Sequence, residues 1–159
     1  MLRYLVPDTG RAAVAFVQSR REHGGHDRGM TSTSGRFDLT RWDEDVIDDA
    51  EGAKLVRVSN SKTFEGGISG TSDAELLQAL AQEGSAAYVG IERVRGEIDG
   101  RKGTFVFRHS AAGSAGGGDF RVDVVPDSAT GDLRGLRGEL SIVKTPEGEH
   151  TYTFDYELP

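Results

Sequence analysis

Hydrophobic and polar side chains alternate along most of the chain from residue 35 onward. In Gly35–Trp42, Phe37 and Leu39 point to one face, while the polar side chains between them point to the other. A two-residue period is typical of a strand with one buried face. The same alternation predicts strands over Leu55–Phe64, Ala86–Ile98, Gly103–Ala111, Phe120–Val125, Gly138–Lys144 and His150–Glu157. Short strands divided by turn residues favour an all-β sandwich or barrel.

Two segments lack a clear strand pattern. The acidic stretch Asp43–Gly52 is predicted to be a loop. The sequence Ser72–Glu75 is a capping box, and it is followed by leucines at helical spacing, so local propensity favours a helix. We nevertheless predict a strand over residues 68–78, because a helix there would replace the meander between neighbouring strands by a crossover.

The segment Ile98–Gly103 has the composition of a tight hairpin turn. With the turn centred on Gly100 and Arg101, the predicted inward-facing pairs are Gly96 with Phe105, Val94 with Phe107, and Glu92 with His109. A slip of one residue would bury the arginines of the opposite face. The register is therefore well specified.

This register predicts that Glu92 and His109 are neighbours on the core face. A carboxylate beside an imidazole is a common way to tune proton affinity, so the pair is our candidate catalytic dyad. Glu92 would accept a proton or hydrogen bond, and His109 would donate or shuttle one. A buried charge pair that satisfies only itself fits the same pattern.

Aromatic and branched side chains are predicted to line the interior. The candidate ligand-binding residues are Tyr88, Val94, Phe105, Phe107, Tyr152 and Phe154. An eight-stranded barrel is of a size at which the interior is either filled or open to one small ligand. We predict the mouth of such a cavity where the glycine-rich loop Ala111–Gly118, a candidate lid, and the turn Gln82–Ser85 converge.

Composition narrows the function classes. The 159 residues suit one domain, and the formal charge of −7 disfavours nucleic acid and anionic membranes as partners. The absence of cysteine excludes disulfide scaffolds and thiolate catalysis. The signature motifs of hydrolases, P-loop enzymes, zinc proteases and dinucleotide enzymes are also absent, so we predict no metal or cofactor and a cytoplasmic protein.

The N-terminal residues differ from the rest of the chain. Residues 1–29 hold five arginines and three acidic residues, and the apolar run Ala12–Val17 is too short for an export signal or a membrane span. We predict that 1–29 is a disordered tail or a misassigned start with Met30 as the true initiator, and that 30–159 is a single β-barrel domain. His23 and His26 form a weak candidate metal pair.

Several stretches together resemble an uncharacterised bacterial family of small domains with the allene oxide cyclase-like barrel fold. The matching stretches are Lys62–Gly66, Gly84–Gly96, Gly100–His109, Val124–Gly138 and His150–Tyr152. The resemblance implies an eight-stranded antiparallel barrel and a strand over Ala74–Ala81. It implies no activity, because the family has none established.

Three functional hypotheses follow. The first is a barrel that binds an apolar or amphipathic small molecule in its interior. The second is a cyclase or isomerase that acts on a hydrophobic substrate, and the third is a protein-interaction module with a filled barrel. The sequence leaves homo-oligomerisation open.

Overall fold

The structure is a computed structural model that describes residues 29–82 and 84–159, together with two short strands near the N-terminus. These strands, β1 (Leu2–Tyr4) and β2 (Ala15–Phe16), pair antiparallel. The rest of the predicted N-terminal tail, including the His23 and His26 pair, lies outside the described residues. The hypothesis that Met30 is the initiator stays a prediction.

Eight further strands form a closed antiparallel barrel, which confirms the predicted fold class. They are β3 (Thr31–Ala50), β4 (Ala53–Gly66), β5 (Ile68–Leu80), β6 (Ala86–Ile98), β7 (Arg101–Ser114), β8 (Gly117–Val124), β9 (Arg137–Lys144) and β10 (His150–Glu157). Successive strands are neighbours around the barrel, and β10 closes it by pairing with β3. In the part of the chain that the structure describes, no helix is long and apolar enough to cross a membrane.

The core follows the two-residue period of the strands. On β4, for example, Val56, Val58 and Phe64 are buried inside the barrel, whereas Arg57 is exposed. A loop with a short 3-10 helix, Gly131–Leu133, joins β8 to β9. Leucines at positions 133 and 136 of this loop are fully buried and belong to the hydrophobic core.

The segment Asp43–Ala50 is strand, so the predicted loop is wrong. It pairs with the start of β4, from Ser59 opposite Asp43 to Ala53 opposite Ala50. Every side chain from 43 to 50 is exposed, although Val56 and Val58 on the opposite strand are buried. Without a buried face the sequence shows no alternation, and the backbone pairing alone defines the strand.

The segment with the capping box is strand β5, as predicted. Ser72, the predicted helix cap, faces the interior, and Leu76 is buried on the same face while Leu77 is half exposed outside. β5 pairs with β6 from Ile68 to Leu80 and with β4 from Gly70 to Leu80. These two ladders outweigh the local preference for helix.

The predicted register of the β6–β7 hairpin is wrong by two residues. Asp99 and Gly100 occupy the turn with φ of 47° and 87°. A two-residue hairpin turn of this kind needs positive φ at both central positions, which Asp-Gly adopts more readily than Gly-Arg. The observed inward pairs are Gly90 with His109, Glu92 with Phe107, Val94 with Phe105, and Gly96 with Gly103. A shift of two residues keeps every side chain on its predicted face.

Candidate functional site

The side chain of Glu92 is the centre of a polar cluster inside the barrel. It is 1% exposed. Its Oε1 accepts hydrogen bonds from Lys62 Nζ at 3.0 Å and from His109 Nε2 at 2.7 Å, and its Oε2 accepts one from Ser72 Oγ at 2.5 Å. We call Lys62, Ser72, Glu92 and His109 the Glu92 cluster. It joins four consecutive strands, β4 to β7.

The strand register explains why these four side chains meet. All four are at inward positions, and Ser72 is directly opposite Lys62. On β6, Glu92 lies two residues from Val94 and two residues from Gly90. Val94 is directly opposite Ser72, and Gly90 is directly opposite His109. Diagonal neighbours on one sheet face are within reach of long side chains. The predicted contact of Glu92 with His109 is therefore present, although the two residues are diagonal and not opposite.

Sequence reasoning missed Lys62 and Ser72. The signal for Lys62 is its position in the alternation, because it follows Val58 and precedes Phe64 at inward spacing. For Ser72 the capping-box pattern concealed the strand. The pairing of β4, β5 and β6 is what brings Lys62 and Ser72 to Glu92.

Burial and neighbouring charge set the protonation of the cluster. Burial alone would raise the pKa of Glu92, but the charge of Lys62 and the hydrogen bonds from His109 and Ser72 hold that pKa well below its usual range. Burial lowers the pKa of His109, and this outweighs the opposing effect of Glu92. Glu92 is thus a carboxylate and His109 a neutral imidazole. With Nε2–H donated to Glu92, the neutral ring has Nδ1 as a proton acceptor.

Two further polar atoms in the interior have no hydrogen-bond partner among the described residues, namely Asn60 Oδ1 and His150 Nε2. Asn60 is 2% exposed, and only the small side chain of Ala74 separates it from Glu92 across the sheet. His150 stacks on Phe37 with ring centroids 5.0 Å apart. Buried polar atoms are normally paired, so both atoms indicate an interior with unused hydrogen-bonding capacity.

Comparison with known proteins identifies the family. The chain matches the family described as "Protein of unknown function (DUF3224)" over residues 33–156. This chain belongs to the DUF3224 family. Its structure is similar to the crystal structure of a DUF3224 protein of unknown function from Shewanella oneidensis MR-1, with a TM-score of 0.76 and 34% identity over 82% of this chain and 98% of that one. No curated protein matches this chain.

The predicted ligand-binding aromatics of this DUF3224 barrel occupy two levels. Tyr88 and Phe107 flank the His109 ring, with centroids 6.2 Å and 6.4 Å from it. Phe105 and Phe154 are fully buried, and both contact Phe107, with centroids 5.0 Å and 5.7 Å away. These rings form a packed layer beneath the Glu92 cluster.

The remaining two candidate residues, Val94 and Tyr152, have structural contacts. Val94 is fully buried opposite Phe105. The Tyr152 hydroxyl accepts a hydrogen bond from Ile68 N at 2.8 Å and lies 2.9 Å from Glu65 O. Tyr152 therefore fastens β10 to the turn between β4 and β5.

The two ends of the DUF3224 barrel differ. The two turns that were predicted to surround the mouth of a cavity are close to each other. A Cβ atom added at Gly84 would lie 3.9 Å from the backbone nitrogen of Ala115. The predicted lid is mostly strand, with a two-residue turn between Ser114 and Gly117. A pocket of about 460 Å³ lies at the opposite end, where its lining includes Leu136 and Leu158. The interior cavity at the first end stays a prediction.

In the described part of this DUF3224 chain, no three or more His, Asp or Glu side chains form a group that could hold a metal ion. The predicted absence of a metal stays a prediction. The chemistry available in the Glu92 cluster is hydrogen bonding and proton transfer by a carboxylate, an ammonium, a hydroxyl and an imidazole.

Proposed function

We propose that the DUF3224 barrel binds a small amphipathic molecule in its interior, with the polar group of that molecule at the Glu92 cluster. One observation carries this proposal: a fully buried carboxylate with three polar partners lies in an otherwise apolar barrel, beside the unpaired Asn60 Oδ1. Apolar residues of similar volume stabilise a core as well as a buried ion pair does, or better. A role in stability alone does not account for the cluster.

The two levels of the interior suggest which residues would contact the polar end of the molecule and which would contact its apolar end. Tyr88, Phe107 and His109 would surround the polar end of the molecule. Phe105, Phe154, Val94 and Tyr152 would form the floor. Glu92 would hold the imidazole of His109 in one orientation, and the entrance would lie between the turns next to Gly84 and Ala115.

A cyclase or isomerase is the second candidate function. The hydrogen bond from His109 Nε2 to Glu92 Oε1 favours it, because a carboxylate that orients an imidazole leaves the other ring nitrogen available as a base. In this function His109 Nδ1 would take a proton from an apolar substrate and return it at another position. Glu92 would act as the positioning residue that stabilises the imidazolium.

The third hypothesis, a protein-interaction module, would use the outer surface of the barrel. Leu77, Val89 and Ile91 are neighbours on the outer faces of β5 and β6, and each is more than half exposed. Contiguous exposed apolar side chains are a feature of interaction surfaces. Any binding assay with an apolar probe must therefore separate the interior from this face.

Titration with Nile red, an uncharged apolar dye, tests the proposal. We expect saturable binding that Ala111→Met weakens about tenfold or more, because Ala111 is buried opposite Tyr88 on the route from the entrance to His109. Val89→Glu, on the outer face of the neighbouring strand, is the matched control and should leave binding unchanged. If Val89→Glu abolishes binding and Ala111→Met does not, the dye binds the outer face and the interior site is excluded.

A further inference from the structure

The charges inside the barrel balance. Lys62 contributes one positive charge and Glu92 one negative charge, and the two form an ion pair of 3.0 Å. His109 is neutral because burial lowers its pKa, and burial together with two lysine charges lowers the pKa of His150 to about 4. Asn60 and Ser72 carry no charge. The described polar side chains of the interior therefore sum to zero at neutral pH.

Two described side chains of the interior have unused hydrogen-bonding capacity: Asn60 has an acceptor and Lys62 has donors. Asn60 Oδ1 is a buried acceptor without a donor among the described residues. The Lys62 ammonium has three N–H donors, and it makes one hydrogen bond in the described part of the chain, to Glu92. Asn60 and Lys62 are two residues apart on the same face of β4, a spacing of about 6–7 Å. One small polar group between them would satisfy an acceptor and a donor together.

We propose that the molecule bound inside the barrel is uncharged and carries a hydroxyl or primary amide, which donates to Asn60 Oδ1 and accepts from Lys62 Nζ. This inference rests on the proposed function and specifies its ligand class. A carboxylate has no hydrogen to donate to Asn60 and would add an unbalanced negative charge beside Glu92. An ammonium group would add an unbalanced positive charge beside Lys62. Burial of a charge without a partner costs far more than burial of a hydroxyl with two partners.

Competition against bound Nile red distinguishes these ligand classes. Decanol, decanamide and decanoate share one apolar chain and differ in the polar group. Near neutral pH we expect decanol and decanamide to displace the dye at concentrations about tenfold or more below that of decanoate. Equal or better displacement by decanoate would overturn the inference while leaving the interior site intact. Failure of Nile red to bind at all would overturn both.

The variant Asn60→Leu tests the predicted acceptor. Leucine has a similar size and removes an unpaired buried polar atom, so the variant should fold. Nile red has no hydrogen-bond donor, so its own dissociation constant, measured in each variant, is the reference for the displacement values. Decanol should require a roughly three- to tenfold higher concentration, the loss expected for one buried hydrogen bond. The control Thr63→Val, on the outer face of the same strand, should leave both values unchanged. Unchanged displacement by decanol in Asn60→Leu would overturn the inference.

Discussion

At the scale of single residues, Glu92 and Lys62 define the interior. Each is almost completely removed from water, at 1% and 6% side-chain exposure, and each is compensated by the other. Lys62 Nζ also lies 5.1 Å from the centre of the Phe37 ring, which adds an attraction between the cation and the ring face. Removal of one of these two side chains should therefore lower the free energy of unfolding more than removal of both.

Lys62→Met should lower the free energy of unfolding by about 3–5 kcal/mol, because Glu92 would be left buried without its cation. The double variant Lys62→Met, Glu92→Leu should recover most of that loss. Urea denaturation of the two variants and of Glu92→Leu alone completes the cycle. Additive losses would show that the two side chains are not energetically coupled.

Ligand binding by variants of the dyad separates its possible roles. Glu92→Gln should weaken decanol binding about tenfold or more, since the amide would disturb the orientation of both Lys62 and His109. His109→Gln should weaken it as well, because the imidazole lies between the aromatics at the polar end. If both variants bind decanol as the parent chain does and differ only in stability, the dyad is a structural charge pair.

The pH dependence of stability contains a contribution from His150. Its pKa falls from 6.5 to about 4 on folding, mainly through burial. Because the unfolded chain binds this proton more readily, the stability from neutral His150 is complete above about pH 6.5 and is lost as the pH falls towards 4. His150→Phe keeps a ring against Phe37 and removes the titration. Denaturant unfolding across this interval should show a shallower loss of stability in the variant. A residual slope of the same sign is expected from His109, whose pKa is also lowered.

At the scale of elements, the β6–β7 hairpin positions Glu92 against His109. Asp99, a residue of the hairpin turn, accepts hydrogen bonds from Thr33 Oγ1 at 3.0 Å and from the Tyr156 hydroxyl at 2.5 Å. The turn therefore fixes the register of two strands and links them to β3 and β10. Its conformation depends on Gly100, whose φ of 87° is unfavourable for residues with a side chain.

Gly100→Ala should lower the free energy of unfolding by about 1–2 kcal/mol. A Cβ at Gly100 meets no atom within 4 Å, so the loss comes from the backbone conformation alone. Gly116→Ala, in the turn between β7 and β8, is the matched control: this glycine has no left-handed φ, and its added Cβ would come no closer than 3.9 Å to Ser114 Oγ. Urea denaturation should place the control within about 0.5 kcal/mol of the parent chain. Equal losses in the two variants would contradict this account of the turn.

At the scale of the whole molecule, the barrel is complete between residues 31 and 157. The β10–β3 ladder closes it, from Tyr156 opposite Thr31 to His150 opposite Phe37. The contact of β8 with β9 has one ladder pair among these described strands, Asp123 with Glu139. The loop after β8 packs against β7 instead, where Thr130 N donates to Thr104 O at 2.8 Å. Loop packing thus completes the closure at this seam.

A chain that begins at Met30 should therefore retain the barrel. We expect its thermal midpoint to lie within about 2 °C of the full-length value, the shift that roughly 0.5 kcal/mol produces in a domain of this size. Scanning calorimetry of both chains measures it. Loss of the cooperative transition in the shorter chain would show that residues before Met30 belong to the folded domain.

The sequence by itself determined which side chains face inward and where most strands lie. The period of two places Phe37, Glu92, His109 and Phe154 in the interior without any knowledge of their neighbours, because side-chain direction is a local property of an extended backbone. β6 and β10 have their predicted ends. The pattern alone left a sandwich or a barrel open, and the resemblance of several stretches to a known family predicted the barrel.

Tertiary structure alone decided which inward side chains touch. Cross-strand partners depend on the conformation of each turn, and the positive φ at Asp99 and Gly100 moved the hairpin by two residues. Lys62 and Ser72 reach Glu92 only through the ladders that join β4, β5 and β6. The arm Asp43–Ala50 also depends on such a ladder, because all its side chains are exposed and its sequence shows no alternation. Strand β5 was predicted, although its local sequence favours a helix.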